Sequence, residues 1–418
     1  MKIAVVGAGP AGLHAALRLQ REHSVEVFEA RDRVGGRLIT HPSGYEAGGE
    51  WIDADHDRCL LSLRSCGIEP VASEGDYRIF RDGQSFNGPD AAMRAAKAKV
   101  DKAAEIASRP LLATPWENRD QAALDKLTVL DFVSQSAPGV DVYWPNAYYR
   151  SDEGEDLSRI GALGWLAGFR NYLDREEGAA SAFRVPGGMT AWIGELARNL
   201  KKPTQFKHVL QAVVQSGDSV WLDFGGEALP FDRVVLTLPP RCYDHVFFDP
   251  GLPTGKAEAL AQCEMGRTIK IGLIYSCRWW EPLGWSGHLF SDRPLQQVWP
   301  TLEPSPTLCA YIGGDDALYW LDQPDPVQAA AQMLEEHVPG GIDHFISGQM
   351  HDWIGDPFSL GGFSHLAPGY VLGPMRHMHE PFERVHFAGE HTSLWTGFIE
   401  GALESAERCV EEIRLCEN

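Results

Sequence analysis

The chain has 418 residues, of which 37 are Lys or Arg and 58 are Asp or Glu, giving a formal net charge of −21. A hydrophobic fraction of 44% beside 23% charged residues excludes a disordered chain, and this length predicts two or three domains with a sizeable core. The acidic balance argues against nucleic acid or an anionic membrane as partner, and no apolar run approaches the ~18–20 residues of a membrane helix. Eight cysteines without a C-x-x-C pair read as reduced thiols of a cytoplasmic protein, not as a disulfide scaffold. The opening residues run straight into a Gly-rich turn, which leaves no room for a signal-peptide core.

Lys2 to Val6 is a short apolar run of the buried-strand kind. Gly7-Ala8-Gly9-Pro10-Ala11-Gly12 follows, then a helical stretch with Leu13, Ala16, Leu17 and Leu19 apolar. A second strand, Val25-Glu26-Val27-Phe28, ends at Glu29. Strand, G-x-G-x-x-G, helix, strand and terminal acid together make a dinucleotide-binding unit. Gly7 permits the tight turn, Gly9 lets backbone approach a pyrophosphate, and Gly12 lets helix and strand pack closely. Pro10 and Ala11 open a helix whose N-terminus favours phosphate, and Glu29 can accept from ribose hydroxyls.

Glu29-Ala30-Arg31-Asp32-Arg33-Val34-Gly35-Gly36-Arg37 resembles the extended fingerprint of flavoproteins. More narrowly, it resembles that of the flavin-containing amine oxidase family, which holds monoamine, polyamine and L-amino-acid oxidases. The resemblance implies FAD as cofactor and a monoamine oxidase-like fold. That fold is α/β, a doubly wound Rossmann-type FAD-binding domain interleaved with an α+β substrate-binding domain. Glu29 would bind the adenosine ribose and Arg37 the pyrophosphate, with Ala30, Arg31 and Gly36 on the same stretch. Gly48-Gly49-Glu50-Trp51 resembles the segment beside the flavin ring, which makes Gly49, Glu50 and Trp51 cofactor residues.

The resemblance recurs along the chain. It assigns residues 1–80, 185–255 and 370–418 to FAD binding, and 81–184 and 256–369 to substrate binding. The first substrate block is Ala-rich with helical periodicity, and its charge run Asp152-Glu153-Gly154-Glu155-Asp156 reads as a solvated loop. Val209 to Val214 and Val220 to Phe224 flank a Ser216-Gly217-Asp218 turn, a hairpin pattern. By resemblance the Val209 backbone meets the adenine, and Thr237 lies on the cofactor-binding strand that follows.

In Thr268 to Tyr275, alternation sets Lys270 on one face with Thr268 and Gly272. With Trp279-Trp280 downstream, the segment resembles the one whose lysine holds a water against the flavin. Trp353 to Ser364 resembles the family's W-x-x-D-P-x-S-x-G-x-Y signature, which puts Trp353 in the site and Phe363 in an aromatic pair flanking the substrate amine. Phe398 takes the second position. The strand Val385 to Phe387 leads to Gly389 and Glu390, where the acid contacts the ribityl-phosphate region. Gly397, Phe398 and Ile399 open a final helix whose N-terminus faces the flavin.

Two departures from the family pattern bear on function. Monoamine oxidases carry tyrosine at both aromatic positions, where this chain has Phe363 and Phe398. Gly362 stands where covalently flavinylated relatives carry Cys, which implies non-covalent FAD. The expected reaction takes a hydride from the carbon beside an amine, giving an imine, then a carbonyl, and hydrogen peroxide, with dioxygen as acceptor. The rivals are an L-amino-acid oxidase acting on an aromatic amino acid, a porphyrinogen or carotenoid desaturase, and a redox-silent FAD scaffold. Trp51, at a position where amino-acid oxidases commonly carry Arg, leans against a free amino acid. Arg376-His377-Met378-His379 has no second cluster at ligand spacing, so no metal is expected. A homodimer is allowed by the sequence and not required.

Overall fold

The computed structural model describes residues 1–73, 75–176 and 178–416. The apolar run Lys2–Val6 lies inside a four-stranded parallel sheet, in the order Val385–Phe387, Arg233–Leu236, Lys2–Val6, Ser24–Phe28. A parallel strand buried on both faces reads as continuous apolar sequence, and Ile3, Ala4 and Val5 are fully buried. The helices Pro10–Leu19 and Ile399–Leu415 pack on one face, where Leu13, Ala16 and Leu19 join Leu403, Ala406, Val410 and Ile413. On the other face Ala4, Val6, Leu236 and Phe387 share a core with the helical block.

The hairpin forms as Ala212–Ser216 and Ser219–Asp223, later than the sequence pattern suggests. Residues before Ala212 run instead along Glu29, with the His208 N–H donating to the Glu29 carbonyl at 2.9 Å.

A seven-stranded sheet forms the second large layer, in the order Phe345–Asp352, Thr268–Tyr275, Thr307–Gly313, Gln297–Pro300, His288–Ser291, Tyr77–Arg81, Gln84–Asn87. Tyr77–Arg81 straddles the expected boundary at residue 80 and pairs wholly within this sheet. Four helices, Ala91–Ser108, Val129–Ser136, Tyr143–Glu153 and Ala162–Arg170, make the helical block. Thr128 and Asp131 close a capping box on the second of them.

The charge run is solvated only in part and begins inside a helix, not a loop. Asp152 and Glu153 end the helix Tyr143–Glu153, and Gly154 stops it in a left-handed conformation at φ 67°. Gly154 is pressed so tightly that a Cβ there would stand 2.7 Å from Phe363 Cζ. Glu155 is buried, accepting from Arg267 Nε at 2.8 Å, while Asp152 stays exposed. The cysteines are all free thiols. No helix among the described residues is long and apolar enough to cross a membrane.

Candidate active site

The turn after the first strand makes a backbone cradle. Gly7 N–H donates to the Phe28 carbonyl at 2.7 Å with φ +106°, a conformation that favours glycine. A Cβ on Gly12 would lie 1.9 Å from the Gly7 carbonyl oxygen, so the helix can approach the strand only because position 12 has no side chain. Glu29 accepts from the N–H groups of Ala8 (2.8 Å) and Arg31 (2.9 Å), which fixes its carboxylate at the end of the second strand. Arg37 donates to Glu390 and to the Gly362 carbonyl, both at 2.9 Å. These residues open onto a cavity of about 1660 Å³, larger than the about 300–1,000 Å³ that suits a single small ligand. A side-chain-free turn at a helix N-terminus, a carboxylate fixed at the end of the second strand and a guanidinium on one long cavity fit an extended dinucleotide such as FAD.

All the cofactor residues expected from the sequence line this cavity except Gly12, which is buried against Gly7. Glu390 does not present a free carboxylate. Its oxygens accept from Arg37, from the Ser364 N–H (3.1 Å) and hydroxyl (2.6 Å), and from the Gly397 N–H (2.7 Å). Burial alone would raise its pKa, but Arg37 and these donors hold it below the usual carboxylate range. Glu390 thus ties the start of the last helix to Arg37 and to the chain before Phe363.

Lys270 is buried, not a surface lysine. Its ammonium donates to the carbonyls of Glu46 (2.9 Å) and Gly48 (2.8 Å) and to Glu50 Oε2 (3.2 Å), under the Trp299 ring at 5.0 Å. Three donors meet three acceptors of the chain. Glu50 also pairs with Arg184 and accepts from the Trp299 indole at 2.9 Å. Burial works to raise its pKa, yet Arg184 and Lys270 keep it below its ordinary value. The neighbouring Glu46 carboxylate makes no ion pair, and burial, then Glu50, push it up to about 7 against the opposing pull of Lys270. Trp353 is buried and donates to the Ala47 carbonyl at 2.7 Å, which braces the segment that Lys270 holds from the other side.

Phe363 and Phe398 both line the cavity. Gly397, just before Phe398, lies against Phe363: a Cβ there would stand 3.0 Å from Phe363 Cδ2. Phe398 meets His56 edge-on at 5.1 Å and Tyr172 at 6.5 Å.

Several cavity residues escaped the sequence reading. Tyr172, Tyr311 and Arg175 carry no motif, and the lateral pairing of Lys270 with Tyr311 follows only from strand register. Asp53, Asp55 and His56 bring three metal-ligand-type atoms within 4.8 Å of one another. Arg175 donates to Asp53 at 2.8 Å and to Asp55 at 3.0 Å, so this cluster already holds a cation of the chain.

A parallel nucleotide sheet whose cradle opens on a buried lysine and two aromatic rings defines a flavin-dependent oxidoreductase. The family of flavin-containing amine oxidoreductases matches residues 10–414, and the chain belongs to it: it is an FAD-dependent amine oxidase. It is 23% identical to the flavin-containing amine oxidase A of Equus caballus, over 98% of this chain and 84% of that one. Its fold is similar to cyclohexylamine oxidase from Brevibacterium oxydans, with TM-score 0.89 and 23% identity over 100% and 99% of the two chains. It is also similar to a putrescine oxidase bound to putrescine, with TM-score 0.87 and 20% identity over 99% of each chain.

Proposed function

We propose that the enzyme is an oxidase of small amines that holds FAD non-covalently and uses dioxygen as electron acceptor in the cytoplasm. FAD, when bound, would supply the redox chemistry, oxidation of an amine to an imine with dioxygen as acceptor and hydrogen peroxide as product. The chain's own part is positioning. Gly7, Gly9, Glu29 and Arg37 would hold the dinucleotide, and Phe363 and Phe398 would flank the amine and exclude water. Lys270 would place a positive charge where negative charge develops, with Glu50 fixing its orientation.

The observation that carries this reading is the shared cavity. The dinucleotide turn, the Lys270 ammonium and both phenylalanines open onto one space. Among the described residues, the arginines at or beside this cavity are each paired within the chain, which disfavours the amino-acid alternative. Arg175 is paired with Asp53, Arg37 with Glu390 and Arg31 with Asp356, while Arg184, under Glu50, is paired as well.

Anaerobic mixing of the holoenzyme with a panel of amines and amino acids tests the reading. Alkylamines or aralkylamines are expected to bleach the visible flavin bands, and peroxide is expected once air is admitted. Bleaching by amino acids alone would overturn it. Acid precipitation is expected to release the flavin into the supernatant, because Gly362 offers no thiol. Flavin remaining in the pellet would contradict non-covalent binding.

A further inference from the structure

The buried cluster around Lys270 holds two cations and one carboxylate, Lys270, Arg184 and Glu50. Glu50 lies between the cations. One of its oxygens pairs with Arg184, and the other accepts from Lys270 Nζ (3.2 Å) and the Trp299 indole (2.9 Å). Arg184 also donates to the Pro300 carbonyl at 3.0 Å and stands over the Trp51 ring at 4.9 Å. Lys270 gives its other two N–H groups to the carbonyls of Glu46 and Gly48. An ammonium has three N–H groups, so none is left to hold a water against the flavin, the role that the family resemblance implies for this lysine. What Lys270 offers across the cavity wall is charge alone.

How much charge reaches the cavity depends on the whole cluster. Glu50, Lys270 and Trp299 line the cavity with Gly48 and Gly49, whereas Arg184 lies behind Glu50. Two cations and one carboxylate leave one net positive charge. The other titratable groups that face them are neutral in mildly acidic solution. Glu46 is pushed up to about 7 by burial and then Glu50, and His288 is pushed down to about 4 by burial and then Arg184. A hydride carries one negative charge, so the group that accepts it gains one when the C–H bond of the amine breaks. A cation held in place beforehand favours that gain without reorganising, and a carboxylate opposes it. Burial strengthens both effects because the surroundings screen charge poorly.

We infer that Glu50 and Arg184 set the reduction potential of the bound flavin together with Lys270. Glu50 lowers the potential by offsetting the charge of Lys270, and Arg184, acting through Glu50, restores part of it. Arg184 is thereby a positioning residue that touches no reactant. The inference rests on FAD lying against the Lys270 wall, as proposed above, and goes beyond that reading by giving two partners of one ion pair opposite effects on the cofactor.

The test is the midpoint potential of the flavin in the holoenzyme, read by anaerobic dithionite titration against an indicator dye at pH 6, where Glu46 and His288 are mostly neutral. Glu50→Gln is expected to raise the equilibrium constant for two-electron reduction at least tenfold, an upward shift of about 30 mV. Arg184→Gln and Lys270→Met are each expected to lower it at least tenfold, about 30 mV in the other direction. A merely structural cluster would lose stability in all three variants without ordering their potentials by the sign of the charge removed. An unchanged or lowered midpoint in Glu50→Gln overturns the inference, and so does an unchanged or raised one in Arg184→Gln. No shift in Lys270→Met overturns it as well, because the ring would then lie beyond reach of the cluster. If Glu50→Gln fails to fold or to load flavin, Arg184→Gln decides alone. The reductant is chemical, so the outcome is independent of amine turnover. Flavin that dithionite reduces but no amine bleaches would instead fail the amine-oxidase reading, which is a different result.

Discussion

The nucleotide cradle and the substrate wall are built in opposite ways. Gly7, Gly9, Gly12, Glu29, Gly36 and Arg37 lie close together in sequence, and their roles are set by the backbone of one turn and two strands. The wall around Lys270 draws Glu46, Glu50, Arg184, Trp299 and Tyr311 from four separate segments, and no pair interacts through local geometry alone. Where the chemistry needs a particular backbone, the sequence must carry it locally. Where it needs buried charge balance, only the tertiary structure brings the partners together.

The largest effect is expected from breaking that long-range wall. Glu50→Leu leaves Arg184 and Lys270 buried without their shared carboxylate. Losing one partner of a buried pair costs about 3–5 kcal/mol, and the guanidinium midpoint should fall accordingly. A midpoint equal to that of the exposed-site control Glu69→Leu would mean that the pairings around Glu50 do not act as a unit.

Lys270→Met examines the same wall with less damage, since the apolar chain is nearly kept. We expect flavin content to stay at wild-type level and turnover with amine to fall about a hundredfold, or about 2.7 kcal/mol of barrier. Stopped-flow traces would separate anaerobic flavin reduction from reoxidation by dioxygen. Unchanged rates in both would remove Lys270 from the machinery.

On the cradle side, Gly12→Ala puts a methyl group against the Gly7 carbonyl, where a Cβ has 1.9 Å. Backbone cannot yield as a side-chain rotamer can, and overpacking of this kind typically costs about 1–3 kcal/mol. Flavin-to-protein ratio should drop severalfold after dialysis. A fully loaded variant would show that the helix can ride away from the strand without opening the cradle.

The limits of sequence legibility follow the same division. The parallel strands, the Gly7 turn and the acid that ends the second strand were readable because glycine, apolar runs and a terminal acid have local meanings. Strand alternation picked out the face that Lys270 shares with Gly272, but not the Tyr45 ring packed over that glycine, nor the carbonyls of Glu46 and Gly48 that receive the ammonium. The run from Asp152 to Asp156 reads as a loop, but the structure ends a helix at Glu153, and Gly154 packs against Phe363, a contact made across more than two hundred residues. Glu390 follows its strand as the sequence pattern predicts, while its four internal donors were invisible without the fold.

The cradle is not wholly local, and the smallest expected effect measures a partly exposed tie to the end of the chain. The helix Pro10–Leu19 is joined to Ile399–Leu415 by Glu407, which meets His14 at 3.3 Å, Arg58 Nε at 2.9 Å and Arg18. The hydrogen bond from His14 leads, Arg58 and Arg18 add to it against burial, and the carboxyl is held down to about 2 from its ordinary 4.5. A carboxyl whose folded pKa lies below its unfolded value stabilises the fold when ionised. That contribution is complete above about 4.5 and fades as pH falls through about 2. With the side chain 31% exposed, solvent screens the pair, and Glu407→Gln should cost less than about 1 kcal/mol at neutral pH. Thermal midpoints of the two proteins should therefore differ by a few degrees at pH 7 and converge as the solution is acidified from pH 4.5. A gap that persists undiminished at pH 2 would assign the effect to lost packing between the two helices, and the tie would then belong with the buried wall, not with the screened surface.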